Sequence, residues 1–490
     1  MVTKSKLMNL GVKSEVAVLL GTNTSIVTTE REARNALARG DNLIVFDPIT
    51  LTANLTVTTT LCVYQGGVIT TAGFTLTIGG PFEAGAYQVF NASSGSVVFS
   101  SGKACTEILA EWWGATGDGA TDDTTAWQAA INAARINPQI SAGNIPIRAL
   151  VERTYMINSL YIPAFTVIQG PEIRQSSAVF KCNTTSAVMF IVDGGDRYSD
   201  FIAIKGLRFD PNGKATTCIS IESGGNLRVS DCNFHNDESL TAVTNHVLLK
   251  DGAVWCWFER CTFNGKYTYG AHLTGHSNQN VFRECHFSGN NCTHAVFGDS
   301  SWNGDTLLLD DCAIETGGCT NIVYLDNENN GSSPSAAGGR ASIINCRFDR
   351  SCTNAQIYVA RFCWGVLVQN CRMVDSCAFN VYSDARDTII RDCFLGNATT
   401  ACIKLDTNSY RCRVYSNVIG HAGGGTYIID SGGTYENWIF RKVGKDITAN
   451  RPTLQPSEFG ALNLDTTLDA DGKPIWWNGT AWVDATGAVV

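Results

Sequence analysis

From about residue 200 onward, short runs of alternating apolar and polar residues return again and again in one phrase. A few alternating apolar positions lead to a polar residue, a cysteine, any residue and then a large apolar residue. The phrase reads LRVSDCNF at Leu227–Phe234, WFERCTF at Trp257–Phe263, VFRECHF at Val281–Phe287 and LLLDDCAI at Leu307–Ile314. It continues as SIINCRF at Ser342–Phe348, VLVQNCRM at Val366–Met373 and TIIRDCFL at Thr388–Leu395. RVYSNVI at Arg413–Ile419 carries Asn417 in the cysteine place, and AIKGLRF at Ala203–Phe209 carries Leu207 there. The period-two alternation and the abundance of Val, Ile, Phe and Tyr predict strands and not helices.

The markers stand at 207, 232, 261, 285, 312, 346, 371, 393 and 417, so one repeat takes roughly 25 residues. The Leu and Asn spacing of leucine-rich repeats is absent, and propeller blades are longer. A second cysteine, at 292, 319, 352, 377 or 402, follows most markers and leads into AVFGD, IVYLD, QIYVA, NVYSD or IKLD. Each repeat therefore holds about three short strands separated by bends. Such a chain coils into a solenoid whose equivalent strands stack ~4.8 Å apart in parallel ladders. Cys232 and Phe234, with their equivalents, then point inward as buried columns. There the cysteines serve as small reduced hydrophobes, and their parallel Cβ directions disfavour bridging. The fold class expected is all-β.

Upstream, LIVF, LTV, LCVY, FTLTI, YQVF and SVVF within residues 44–110 read as short strands of a small β head or of irregular first coils. Thr29–Arg39 reads as a helix. The segment EWWGATGDGATDDTTAWQAAINAA at Glu111–Ala134 reads as a Gly-rich turn, two helix-start aspartates and an amphipathic helix. That helix suits the open end of a solenoid, where it shields an edge.

Composition changes the picture mainly by exclusion. Charged residues make up 17% of the 490, and the net charge is −9, a poor match for nucleic acid or an anionic membrane. No apolar run reaches the ~18 residues that span a bilayer. The patch Val16–Leu20 is too short for a signal peptide, so synthesis in a cytosol is expected. The 19 cysteines include no CxxC, and HExxH is absent, so neither a metal nor a cofactor is expected.

The segment containing Trp113, Gly114, Ala115, Gly117, Asp118, Gly119, Thr121, Asp122 and Asp123 resembles the opening motif of pectate-lyase-superfamily β-helices found in phage tailspikes. Residues 451–490, with RP, DTTL and KPIWWNGTAWVDATG, resemble a short C-terminal module of phage tail fibres and tailspikes. Physically that module reads as a hairpin, IWW and AWV about an Asn478-Gly479 turn. Trp476, Trp477 and Trp482 give it more aromatic surface than so short a piece buries alone. The resemblance implies a right-handed parallel β-helix with an N-terminal capping helix, assembled as a homotrimer on a virion. It also implies docking to a phage tail or baseplate protein through the N-terminal region, and action outside the cell on a bacterial surface polysaccharide, O-antigen or capsule. The domain expectation is an attachment segment at 1–43, a β-rich region at 44–110, capping helix and β-helix at 111–440, and a connector with a trimerisation module at 441–490. The motif aspartates Asp118, Asp122 and Asp123 are expected in turn and cap chemistry.

Glycoside hydrolysis needs one acid for the leaving oxygen and one carboxylate to activate water or attack carbon. The third strand of several repeats ends in aspartate, at Asp251, Asp299, Asp326, Asp384 and Asp406. Asp299 and Asp326 fall in adjacent repeats, which brings their backbones to ~5 Å; two carboxyls so close raise one pKa, as a general acid requires. Asp305 and Glu328 in the flanking loops complete the candidate catalytic set, and Trp302 is the candidate sugar-stacking residue. The loop Asn327–Arg340, polar and Gly/Ser-rich, suits a groove wall. Glu315 is a weaker alternative. Lyase chemistry with Arg347, Arg372 or Arg391 ranks second to hydrolysis. A receptor-binding fibre without catalysis is the alternative from another class, since aspartate is also an ordinary turn residue.

Overall fold

The computed structural model describes residues 23–100, 104–134, 145–171, 178–193, 201–327, 339–419, 426–431, 437–440, 444–446, 462–465 and, within 473–489, all but 479, 485 and 487. Strands form three long parallel sheets of thirteen, twelve and twelve strands, a parallel β-solenoid of about thirteen turns. These are called sheets one, two and three, in the order the chain visits them within a turn. The chain divides into two compact units: residues 1–216 with 224–233, and residues 217–223 with 234–490.

In the first unit, residues 24–99 form three smaller parallel sheets. Thr24–Val27, Asn42–Val45, Leu61–Val63 and Phe82–Ala84 make one of them. The short strands there return to a parallel neighbour about twenty residues later, as Ile44 does to Cys62. The expected helices are present at Glu30–Ala38 and Thr124–Ala134. The second contacts strands Ser96–Phe99, Ile108–Leu109, Ile147–Arg148 and Leu160–Pro163. Its Trp127 is fully buried, 4.9 Å from the Tyr155 ring and 4.7 Å from that of Phe180. The motif aspartates hold turns: Asp118 accepts from the Ala120 and Thr121 N–H groups, and Asp122 from that of Thr124. Buried Asp123 accepts from Thr116 N at 2.7 Å and Gly117 N at 3.2 Å.

In the second unit the repeat phrase maps onto one corner. Its alternating residues form a strand of sheet one, and the residues after the cysteine form a strand of sheet two. The polar residue before the cysteine takes left-handed backbone: Glu284 has φ 51°, Asp311 52°, Asn345 57°, Asn370 51° and Asp392 57°. Asn and Asp tolerate that conformation best among residues with a side chain, which is why this position is mostly Asn or Asp. Phenylalanines stack inside, with Phe263 4.9 Å from Phe234 and 4.5 Å from Phe287, and with Phe258 4.7 Å from Phe282.

None of the 19 cysteines is in a disulfide. The marker thiols do more than fill space. The Sγ of Cys285 lies 3.3 Å from the Phe258 carbonyl of the preceding turn, that of Cys312 3.4 Å from Phe282 O, and that of Cys371 3.4 Å from Ile343 O. Each thiol thus aims its weak S–H donor at a backbone carbonyl of the preceding turn, a contact added to the strand ladder. Asn417 fills the same place with its Nδ2, 3.0 Å from Ile390 O, and accepts from Cys393 N at 2.9 Å. Cysteine and asparagine share the position because each is small and carries a donor.

All the cysteines are buried except Cys105, which is half-buried and whose thiol burial pushes up to about 12. A thiol-alkylating reagent is therefore expected to label Cys105 slowly and no other cysteine in the folded protein, and all 19 after denaturation. Mass spectrometry of the peptides checks this; rapid native labelling of Cys285, Cys312 or Cys346 would contradict the buried column.

At the C-terminus, Lys473–Trp477 pairs antiparallel with Trp482–Val483, the expected hairpin. The Asn478 side chain accepts from Thr480 N at 3.0 Å and Ala481 N at 2.8 Å within its turn. Gly479, the side chains of Trp476 and Trp477, residues 1–22 and most of the connector lie outside the described residues; Trp482 is buried.

Candidate functional site

Sheet three of the second unit carries an aromatic row on its outer face. Register pairs His272 with Phe297, Phe297 with Tyr324, Tyr324 with Tyr358, Tyr358 with Tyr382, and Tyr382 with Lys404. Each is half-buried, whereas the flanking residues in its strand, such as Val323 and Leu325 around Tyr324, point inward and are buried. Ring centres lie 5.5 Å apart for Phe297 and Tyr324, 5.1 Å for Tyr324 and Tyr358, and 4.6 Å for Tyr358 and Tyr382. Lys404 Nζ closes the row 4.5 Å from the Tyr382 ring. Rings stacked in this way cover one another's faces, so they offer solvent their edges and phenolic oxygens. The sequence shows the row as the aromatic two residues before the strand-ending position in AVFGD, IVYLD, QIYVA and NVYSD. The reading of those strands stopped at the aspartates.

Those aspartates form a column two residues beyond the aromatic row. Backbone bonds from Asp326 N to Gly298 O (3.0 Å), Ala360 N to Leu325 O (2.8 Å), Asp384 N to Val359 O (2.8 Å) and Asp406 N to Ser383 O (2.8 Å) stack the positions 299, 326, 360, 384 and 406. Asp299 and Asp326 thus occupy consecutive turns. Asp251 is not a member: Lys250 takes that place, bonding Ile221 O, and Asp251 sits one residue further on against His276.

Asp299 has two sets of partners. Its Oδ2 lies 3.1 Å from His272 Nε2, and its Oδ1 accepts from Ser301 N at 2.8 Å and Ser301 Oγ at 2.6 Å. Burial pushes its carboxyl up, but the hydrogen bonds from His272 and Ser301 outweigh it and hold the group below the usual carboxylate range. The expectation that carboxylate crowding would raise a pKa does not hold for this member. His272 is steadied in turn by Asn245 Oδ1, 3.0 Å from its Nδ1. Asp326 is buried; its Oδ1 accepts from Asn327 N at 2.7 Å, and Tyr324 Oη lies 3.3 Å from its Oδ2. Asp406 accepts from the Tyr382 hydroxyl and lies 3.1 Å from Lys404 Nζ.

The other candidates are placed differently. Trp302, expected to stack on a sugar, is fully buried, and its indole N–H donates to Ser277 O at 3.1 Å. The Asp299–Asp305 loop folds this ring into the interior to satisfy both its apolar area and its donor, so it offers no face to a ligand. Asp305 lies at the far end of that loop, with Oδ1 3.7 Å from Arg340 Nε, away from the Asp299 column. Glu328 lies outside the described residues, as does most of the loop expected as a groove wall. Glu315 belongs to sheet two, where it bridges His286 (3.4 Å) and Arg347 (3.3 Å). Arg372 pairs with Asp349 at 3.0 Å on the same sheet, and Arg391 donates to Gln369 on sheet one. The arginines considered for lyase chemistry are thus spread over two sheets and engaged in pairs.

A shallow cavity of about 470 Å³ opens beside sheet two, lined among others by His235, Asp237, Glu238, Asn290 and Arg350. Sequence reasoning missed it; its one mark was the HNDES stretch at 235–239. Among the described residues no cluster of His, Cys, Asp and Glu could hold a metal ion.

No family model and no curated protein matches the chain. Among solved structures it is similar to ORF18 of Geobacillus virus E2, at 15% identity over 69% of this chain and 61% of that one, with a TM-score of 0.45. It is similar to tailspike protein 3 of bacteriophage CBA120, at 17% identity over 78% of this chain and 69% of that one, with a TM-score of 0.44. The A-module of a mannuronan C-5 epimerase of Azotobacter vinelandii gives 12% identity, 67% and 96% coverage, and a TM-score of 0.47. The chain spans less than two thirds of the Geobacillus virus protein. These are distant likenesses of fold.

Proposed function

We propose that the outer face of sheet three binds a bacterial surface polysaccharide and hydrolyses it with Asp299 and Asp326. One observation supports the reading: the backbones of Asp299 and Asp326 hold equivalent positions in consecutive turns, two residues beyond an outward row of Phe297, Tyr324, Tyr358 and Tyr382. A long polar-edged strip of this kind suits an extended polymer of hydroxyl-bearing rings better than a compact ligand. Asp299, held ionised by His272 and Ser301, is the carboxylate that activates water or attacks the anomeric carbon. Asp326 gives the proton to the leaving oxygen, at the Oδ2 edge it shares with the Tyr324 hydroxyl. The bond broken is the glycosidic C–O bond, and water supplies the oxygen and the proton that restore both acids.

The homotrimeric state, the virion location and docking through the N-terminal region belong to the same proposal and rest on the sequence motifs. A second reading, binding without cleavage, draws on the turn bonds that Asp299 and Asp326 make with Ser301 and Asn327. Incubation with purified O-antigen and capsular polysaccharides separates the two. New reducing ends and shorter chains are expected; binding with unchanged chain length would leave only the adhesin, and a rise in absorbance at ~235 nm, the mark of an unsaturated product, would replace hydrolysis by elimination.

A further inference from the structure

The corner after sheet two holds a notch that the Asp299 site does not use. Its wall is an outward row of sheet two. Phe263 pairs with Phe287, so Asn264 and Ser288 stand on consecutive turns, and His235 Nδ1 donates to Asn264 Oδ1 from the turn before. Its floor is bare backbone. A Cβ on Gly265 would lie 1.7 Å from Asn236 O, and one on Gly289 would lie 2.2 Å from Gly265 O, so neither position can carry a side chain. Two arms pass over the glycine turns. Glu238 reaches forward past the Gly265 turn, where its carboxylate accepts from Asn290 Nδ2 at 3.0 and 3.3 Å. Arg350 reaches back over Gly317, where an added Cβ would meet its Cδ at 3.7 Å. The cavity these groups line, about 470 Å³, falls within the ~300–1,000 Å³ of small-molecule sites.

What these groups leave unbonded defines the ligand. Among the described residues, Ser288 Oγ, Asn264 Nδ2 and the Arg350 guanidinium make no hydrogen bond, and Arg350 makes no ion pair, although its charge reaches Asp375. These three are donors. The acceptors are His235 Nε2, which carries no proton in the neutral ring whose Nδ1 donates, Asp237 Oδ2 and the spare lone pairs of Glu238. The Ser239 N–H and Oγ–H hold Asp237 Oδ1 and keep that carboxyl below its usual range, so it is ionised. No apolar side chain lines the notch. An anion would meet Asp237 and Glu238 with like charge, and a cation would meet Arg350 in the same way. A hydroxyl both donates and accepts, so a neutral ligand with several hydroxyls satisfies both sets at once. From His235 to Ser288 the wall takes two steps of the ladder, about 10 Å at ~4.8 Å per turn, which is room for several such groups.

We propose that this notch binds a neutral sugar through its hydroxyl groups, at a site separate from sheet three and independent of the cleavage proposed above. Saturation-transfer NMR on the full chain tests it. The probes are the methyl glycosides of glucose, galactose, mannose, rhamnose and N-acetylglucosamine, with glucuronate and glucosamine as charged controls. At least one neutral glycoside is expected to bind. R350Q removes a charged donor and S288W fills the notch. Each should weaken binding at least about tenfold, roughly the loss of one charge-assisted hydrogen bond. Y358A, in the aromatic row of sheet three, should leave it unchanged. If S288W unfolds, R350Q decides, since Arg350 is exposed and its guanidinium bonds to nothing in the fold among the described residues. A glycoside bound equally by R350Q and the parent, one lost only in Y358A, a charged control bound more tightly than every neutral member, or no neutral member bound would each overturn the proposal. Polysaccharide cleavage is read separately with D299N, so the reading of sheet three stands or falls on its own.

Discussion

Replacing Asp299 with Asn is expected to lower polysaccharide cleavage by about 10²–10⁴-fold, the range lost when a positioned acid or base is removed. The amide keeps one oxygen to accept from the Ser301 N–H and Oγ–H, so the turn should survive, while the lost carboxylate contact to His272 should lower the melting temperature by a few degrees at neutral pH. The same carboxylate sets the acid limb of the rate profile. Hydrogen bonds from His272 and Ser301 overcome burial and hold Asp299 below its ordinary range, so it stays ionised as the pH falls through the unperturbed value of about 4. Activity should then persist below about pH 4 and be lost only as the pH falls through the depressed value. The sign for stability is the same: a depressed carboxyl favours the fold above the unfolded-state pKa, and that contribution disappears on further acidification. Initial rates from pH 3 to 8 for the parent and the Asn variant, beside their melting curves, check all of this. An Asn variant with undiminished turnover would remove Asp299 from the chemistry.

Phe263→Ala should cost about 3–5 kcal/mol of stability, the usual range for deleting a fully buried phenylalanine. Phe263 has no exposed surface and lies between Phe234 and Phe287 with interplanar angles of 4° and 9°. Its loss removes two ring contacts and leaves a cavity that neighbouring turns cannot fill, because each is held in register by its own ladder. By contrast, Tyr358→Ala removes a ring of similar size from the outer row, where part of its surface faces solvent, and should cost less. Urea unfolding of both variants tests the contrast: equal midpoint shifts would contradict the assignment of inner and outer columns. Hydrogen exchange should show protection failing first in the turns around residues 234–287.

Much of the site was within reach of the sequence because a solenoid turns linear spacing into spatial adjacency. Once the markers at 285, 312 and 346 are known to stack, Asp299 and Asp326 must be neighbours, and they are. Asp251 escaped the rule by a single residue, since the bend after its strand is differently made, and spacing does not record bends. Trp302 could not be placed because its fate depends on Ser277 O, supplied by another turn, and on room inside the coil. The aromatic row was visible as a period, but its outward direction follows only from which residues of each strand are buried.

The alternation of apolar residues and the recurrence of Cys every twenty-odd positions dictate a coil of short strands, because only inward columns bury those side chains together. The left-handed bend residue is likewise a local necessity, set by the backbone at one corner. Which carboxylate is held ionised and which tryptophan turns inward are decided by contacts with neighbouring turns, His272 for Asp299 and Ser277 O for Trp302. Those choices depend on distances across the coil, and no local pattern of residues encodes them.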